Sequence, residues 1–218
     1  MLDKAILRLI AAAACCIVFL SGCVGTSTLY SNVFVKPSQP PTEIRVLYLE
    51  NQLVTSSSDT DLAIAALGYN DLPELLKERV PIVFGMNKIS TAYATIPRSN
   101  YGQKEAIEAV KWARKAGSNP PLLIIQVVEG TVQTSNQYSN ITVRLKMHAN
   151  LFESNATTRI WTGQFQNTLS KALLGRIGFD NEFVDKLLGV VLEQMASDGI
   201  IALPGGKPLI PEPKASKV

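Results

Sequence analysis

The 218-residue chain is 46% apolar, carries 21 Lys and Arg against 18 Asp and Glu, and has a formal net charge of +3. That length suits one domain with flexible ends, and the apolar fraction is enough for a packed core. The near-balance of charge gives no reason to expect a nucleic-acid partner, and a single histidine excludes a multi-histidine metal site.

The chain opens with a short basic flank, Lys4 and Arg8, followed by an unbroken apolar run from Leu9 to Leu20. Twelve residues are too few to span a bilayer, which takes about 20. The length and flanks are those of a secretory signal. The run closes on Leu20-Ser21-Gly22-Cys23. With these residues the segment resembles a bacterial lipoprotein precursor, and the four residues look like its lipobox. The resemblance implies removal of residues 1–22, diacylglycerol on the Cys23 sulfur and a fatty acid such as palmitate on the new amino group. A thiolate is the side chain here that readily makes a thioether to a lipid. One acyl chain gives only marginal membrane binding, whereas several on one residue hold firmly. Val24 follows the cysteine where the family's inner-membrane proteins tend to carry aspartate, which points to the outer membrane. Cys15 and Cys16 leave with the signal, so a lipidated chain keeps neither a free thiol nor a disulfide.

Residues 23–42 read as the lipidated cysteine and a flexible linker, rich in Gly, Ser, Thr and Pro and ending in Lys36-Pro37-Ser38-Gln39-Pro40-Pro41. Such a tether would reach roughly 25 Å as a coil, or about 60 Å extended. Residues 43–203 read as a periplasmic domain. Ile44 to Leu49 predicts a strand, and Thr55 to Asp61 a polar loop. Asp71-Leu72-Pro73-Glu74 predicts a helix start, with Asp71 as cap. Leu72, Leu75, Leu76, Val80 and Val83 follow at helical spacing, with Pro81 expected to kink or end the helix. Ile89 to Ile96 predicts a second strand, and Gln103 to Lys115 a second helix. Leu122 to Val128 is almost continuously apolar, as in a central strand covered on both faces.

From Ile141 to Leu151 apolar and polar residues alternate strictly, which predicts a strand with one wet face. Glu153 to Thr158 is a turn, and Ile160 to Leu169 returns as the hairpin partner. Phe183, Val184, Leu187, Leu188, Val191, Leu192 and Met195 make an amphipathic final helix, capped by Asp180 or Asn181 and ended by Asp198-Gly199. Residues 204–218 read as a disordered tail. The expected fold is α/β (α+β): one mixed sheet of about five strands with three helices, in the order β-α-β-α-β-β-β-α.

Chemistry is thinly represented. His148 falls on the polar side of its strand beside Arg144 and Lys146, where a surface histidine is the expectation. Asp59 with Asp61, and Glu50 with Glu129, are carboxylate pairs on paper. No phosphate-binding glycine loop is present, and Gly175-x-x-Gly178 is too short a match. The sequons at Asn140 and Asn155 would ordinarily stay unmodified in a bacterial lipoprotein. Tyr93, Tyr101, Trp112 and Tyr138 are candidate interface anchors, though each more often marks a sheet margin. No catalytic residue, cofactor or metal is expected.

The stretch from Leu122 to Phe165, with Glu129-Gly130, an alternating strand and Arg159-Ile160-Trp161-Thr162-Gly163, resembles small periplasmic α/β lipoproteins. Those are related to the curli-secretion lipoprotein and to lipoprotein activators of peptidoglycan synthases. The resemblance implies a sheet with packed helices and a role in assembly rather than catalysis. The expectation is an outer-membrane lipoprotein on the periplasmic face, serving as an accessory or assembly component of an envelope complex. Its partners would be membrane lipid through Cys23 and an envelope protein or a second copy, with no nucleic acid. A lipid- or glycan-binding shuttle is the alternative, and a hydrolase comes after it.

Overall fold

A computed structural model describes residues 23–50, 71–96, 110, 120–134, 140–154, 158–172 and 179–212. Its strands are β1 (Cys23–Val33), β2 (Glu43–Leu49), β3 (Ser90–Ile96), β4 (Leu122–Thr134), β5 (Asn140–Phe152) and β6 (Arg159–Ala172). Helix α1 is Leu72–Met86, and α2 is Asn181–Ser197. The six strands form one mixed sheet in the order β1-β6-β5-β4-β2-β3. β2 lies parallel to β3 and β4, and the β4-β5-β6-β1 side is antiparallel. The α+β class is as the sequence predicts, but the counts differ: six strands rather than five, and two helices among the described residues. The helix expected over Gln103 to Lys115 lies outside them except for Val110, which is helical and buried.

The sixth strand is the main correction. The first eleven residues of the expected flexible linker form β1, which pairs with β6 from Cys23 opposite Ser170 to Val33 opposite Trp161. The sequence hides this strand because its central helix-facing positions, Thr26, Thr28 and Ser31, are polar, and among its described side chains only Val33 at its end packs on the main core. Thr26 donates to buried Asn167 at 2.7 Å, and Ser31 accepts from Gln194 of α2 at 2.9 Å. These contacts replace the apolar alternation by which a half-buried strand is recognised. Beyond the strand, the amides of Phe34 and Val35 both donate to the Ile160 carbonyl.

Helices α1 and α2 cover one face of the sheet. The alternating residues Val143, Leu145, Met147, Ala149 and Leu151 of β5 meet Val184, Leu187, Leu188, Val191 and Met195 of α2 in the main core. On the other face, a smaller core joins Leu47, Leu49, Ile96, Val110, Leu122, Ile124 and Phe152. The apolar run of β4 is therefore buried on both sides, as its continuous pattern predicts. In β6, Gly163 sits between Trp161 and Phe165. A Cβ there would stand 2.7 Å from Trp161 Cη2 and 2.8 Å from Phe165 Cε2, so only glycine lets both rings close over the strand. The Trp161 indole donates to Asp198 at the end of α2, at 2.7 Å.

Both helices end in the same way. After α2, Gly199 adopts φ +72°, its amide donates to Ala196, and the Ile200 amide donates to Met195. After α1, Lys88 takes the same left-handed position at φ 60°, with its amide to Gly85 and that of Ile89 to Phe84. This pair of backbone bonds satisfies carbonyls left open at a helix end. At the starts, Asp180 caps α2 by accepting from the Phe183 amide at 2.9 Å. Asp71 stands at the α1 N-cap position but makes no side-chain capping bond.

Pro81 does not end α1 at mid-length as its ring suggests. It lies on the exposed side, and Val80, Val83 and Phe84 carry the helix onward into the core. The tail expected to be disordered from residue 204 instead touches the domain at Leu209 and Ile210, although much of its surface is exposed. The Leu209 amide donates to Asn87 Oδ1, Asn87 Nδ2 donates back to the Leu209 carbonyl, both at 2.8 Å, and Ile210 meets Gly189 of α2. The polar exchange with buried Asn87 is what composition alone does not reveal.

Leu188 is fully buried at the centre of the α2 stripe. Leu188→Ala should cost about 2–5 kcal/mol, against a typical domain stability of roughly 5–15 kcal/mol. Exposed Glu193→Ala should change stability by no more than about 0.5 kcal/mol. Paired denaturant melts check both values.

Candidate functional site

Cys23 opens β1, and its backbone is already in register with Ser170 of β6. The expected lipidation site is therefore the first residue of an edge strand rather than the far end of a tether. Residues 1–22 lie outside the described residues.

Beyond the smaller core, the face of the sheet turned away from α1 and α2 is polar where β4, β5, β6 and β1 run side by side. One row runs Gln126, His148, Gln164 and Tyr30, and the next runs Glu129, Lys146, Gln166 and Ser27. His148 is half-buried in the middle of the first row. Burial pushes its pKa below 6.5, and the positive charges of Lys146 and Arg159 push it the same way. Its charged neighbours thus include Arg159 from β6, which strand spacing within β5 does not disclose. The Arg159 guanidinium stacks 4.9 Å over the Phe34 ring and donates to Asn150 at 3.3 Å.

The other sequence candidates are not brought together. Glu129 lies inside β4 rather than at its end, 3.9 Å from Lys146, whereas Glu50 follows the end of β2. Tyr93 is half-buried with its hydroxyl donating to the Pro73 carbonyl at 2.9 Å, and burial pushes its pKa up to about 12. It joins β3 to α1 and is not a free anchor. Asp59, Asp61, Tyr101, Trp112, Asn155, Tyr138, Gly175 and Gly178 fall outside the described residues. No group of three metal-ligating side chains occurs among the described residues.

A groove of about 650 Å³ lies between α1 and the start of α2. Its floor is an ion pair that the sequence pattern did not reveal. Arg79 of α1 grips Asp185 of α2 with two parallel hydrogen bonds of 2.8 and 2.7 Å, their side chains only 11% and 7% exposed. The rim carries Glu78, Asp180, Glu182 and Glu212. A second groove of about 570 Å³ runs beside β1, lined by Thr28, Val190, Gln194, Ile201 and Lys207 among others. The residue missed here with the clearest available signal is Asp185, a charge placed between apolar Val184 and Leu187 on the buried stripe of α2.

No family model and no curated protein matches the sequence. Several solved structures are similar in part. The PelC dodecamer from Paraburkholderia phytofirmans is 10% identical, with 71% of this chain and 86% of that chain covered at a TM-score of 0.29. Lipoprotein GNA1162 from Neisseria meningitidis is 15% identical, with 72% and 99% covered at a TM-score of 0.37. At such identities and superpositions, what those proteins do stays with those proteins.

Two outcomes follow from this geometry. Arg79→Met would leave Asp185 buried without a partner and should cost about 3–5 kcal/mol, while Arg79→Met combined with Asp185→Leu should recover most of it. A double-mutant cycle by chemical denaturation measures the difference. For His148 the folded state favours the neutral ring. As pH falls below 6.5 the unfolded chain takes up its proton first, so stability drops from there down to the folded pKa. His148→Gln should remove that share of the acid-side loss, and melts of both proteins at pH 7.5 and pH 5 should show the wild type losing more.

Proposed function

We propose that this chain is an outer-membrane lipoprotein, acylated at Cys23, whose periplasmic α+β domain acts as an accessory or assembly component of a cell-envelope complex. The observation that carries the reading is the run Leu9 to Leu20 closing on Leu20-Ser21-Gly22-Cys23. The pairing of Cys23 with Ser170 supports it, since it sets the acylation site at an edge of the sheet, where the sulfur's substituents have room. No helix among the described residues is long and apolar enough to cross a membrane.

The domain's work is positional and not catalytic. The single histidine is half-buried, and the charges that act on it are the cations Lys146 and Arg159 rather than a carboxylate that could accept from its ring N–H and orient it as a base. The shuttle alternative has less support. The groove between the helices is of ligand size and includes apolar Leu75, Ile82 and Pro211, but the Arg79–Asp185 pair and the carboxylates of Glu78, Asp180, Glu182 and Glu212 also line it, and these do not suit an acyl chain.

Cys23→Ser tests the anchor. It should leave a longer, unprocessed precursor or release the protein from lipid, and mass spectrometry of the wild type should find acyl groups on Cys23. A Cys23→Ser protein that is still trimmed to residue 23 and still requires detergent for extraction would overturn the reading.

A further inference from the structure

The outer edge of β1 is not an ordinary strand edge. The ladder with β6 shifts register between Thr28 and Tyr30, and the extra residue of this bulge is Leu29. In a regular strand, neighbouring side chains point to opposite faces. Here two large neighbours, Leu29 and Tyr30, are both about half exposed, at 49% and 50%. Four residues on, Phe34 and Val35 are exposed to the same degree, at 47% and 50%. Both are held against the start of β6 by their amide bonds to Ile160. Lys36 is exposed next to them, and Arg159 covers the Phe34 ring. The stretch from residue 23 to residue 42 contains no Asp or Glu. The acidic residues of the α1–α2 groove lie elsewhere, since α1 packs over β3 at the opposite edge of the sheet.

We infer that this edge, from Leu29 to Val35, lies on the bilayer surface that holds Cys23, with Leu29, Tyr30, Phe34 and Val35 seated at headgroup depth. The inference rests on acylation of Cys23 as proposed above. Pairing with β6 begins at Cys23 itself, so no slack separates an anchored sulfur from the strand. At about 3.3 Å per residue, Leu29 is only about 20 Å along the same edge and Val35 about 40 Å. A lipid surface is thus the partner that the anchor brings to the start of β1, within reach of its exposed apolar residues. The side chains of the strand match it: aromatic and aliphatic residues flanked by cations, with no acid among residues 23–42, although Glu193 of α2 lines the groove beside Thr28. An added strand from a second copy fits less well, because a bulge halfway along an edge twists it and interrupts the ladder such a strand would extend. With the edge down, the domain has a fixed attitude, and the acidic α1–α2 groove is carried at the side remote from the bilayer.

The three cysteines of the chain are Cys15, Cys16 and Cys23, so processing and acylation leave no free thiol, and a single new cysteine can carry a label. Tyr30→Cys, Val35→Cys and the remote control Glu74→Cys, each labelled with the polarity-sensitive fluorophore NBD, are reconstituted as acylated protein. The vesicles are of phosphatidylethanolamine and phosphatidylglycerol, with and without headgroup-depth nitroxide lipid. Labels at 30 and 35 should emit to the blue of the label at 74 and lose several-fold intensity with nitroxide lipid, while the label at 74 is unaffected. Labels at 30 and 35 as wet as that at 74 would overturn the inference. So would blue-shifted labels that nitroxide lipid does not quench, which would mark a second copy on the edge. Mass spectrometry of the same samples keeps the two readings apart. If Cys23 carries no acyl group, the anchor reading fails, and the unacylated protein is then added to the same vesicles. Sedimentation with them that is lost in Leu29→Glu/Phe34→Glu would uphold the lipid-facing edge, and no sedimentation would overturn it.

Discussion

The pairing of β1 with β6 is the constraint on which the rest of this structure depends. It begins at Cys23 and runs the length of the strand, so the residue with the most distinctive chemistry in the chain is part of the sheet. Polar side chains hold the strand in place: Thr26 to Asn167 on β6, and Ser31 to Gln194 on α2. Gln194 also donates to Asp198, which accepts from the Trp161 indole N–H, so β1, β6 and the end of α2 share one hydrogen-bonded junction. A buried hydrogen bond contributes only about 1 kcal/mol net, but its geometry is exacting, and here it fixes an angle between layers.

That junction gives the proposed anchor a mechanical meaning. A flexible tether would leave the domain free to tumble near the membrane. A strand that starts at the anchor transmits the membrane's position directly to the sheet. Orientation then becomes a property of the fold, and surfaces such as the polar face around His148 or the acidic groove over Arg79 and Asp185 face fixed directions. Under the proposed positional role, a fixed direction is the functional quantity.

The helical layer shows a second use of buried polarity. Stripping Arg79 and Asp185 of water costs several kcal/mol per ion, and two short parallel hydrogen bonds offset it. An apolar pair of the same size would hold the helices together as firmly but would tolerate sliding. The guanidinium fork accepts the carboxylate in one alignment only, which sets α1 against α2.

The sequence by itself determined the elements whose burial is apolar. The alternation of β5, the continuous run of β4 and the stripe of α2 each show their burial through hydrophobic period, and each is found where that period places it. The lipobox-like motif that ends in Cys23 is likewise local and is read from the sequence alone. What only the tertiary structure decided are the places where polar atoms meet from distant parts of the chain. β1 looks like a linker because its inward residues are Thr and Ser, whose partners Asn167 and Gln194 are 141 and 163 residues away. The tail looks loose because its docking uses the Leu209 backbone on Asn87, and Asp185 looks misplaced until Arg79 arrives 106 residues from it. Apolar burial depends on how much surface is covered and leaves a periodic trace along the chain. A hydrogen bond depends on one partner at one angle, and that partner is chosen by the fold.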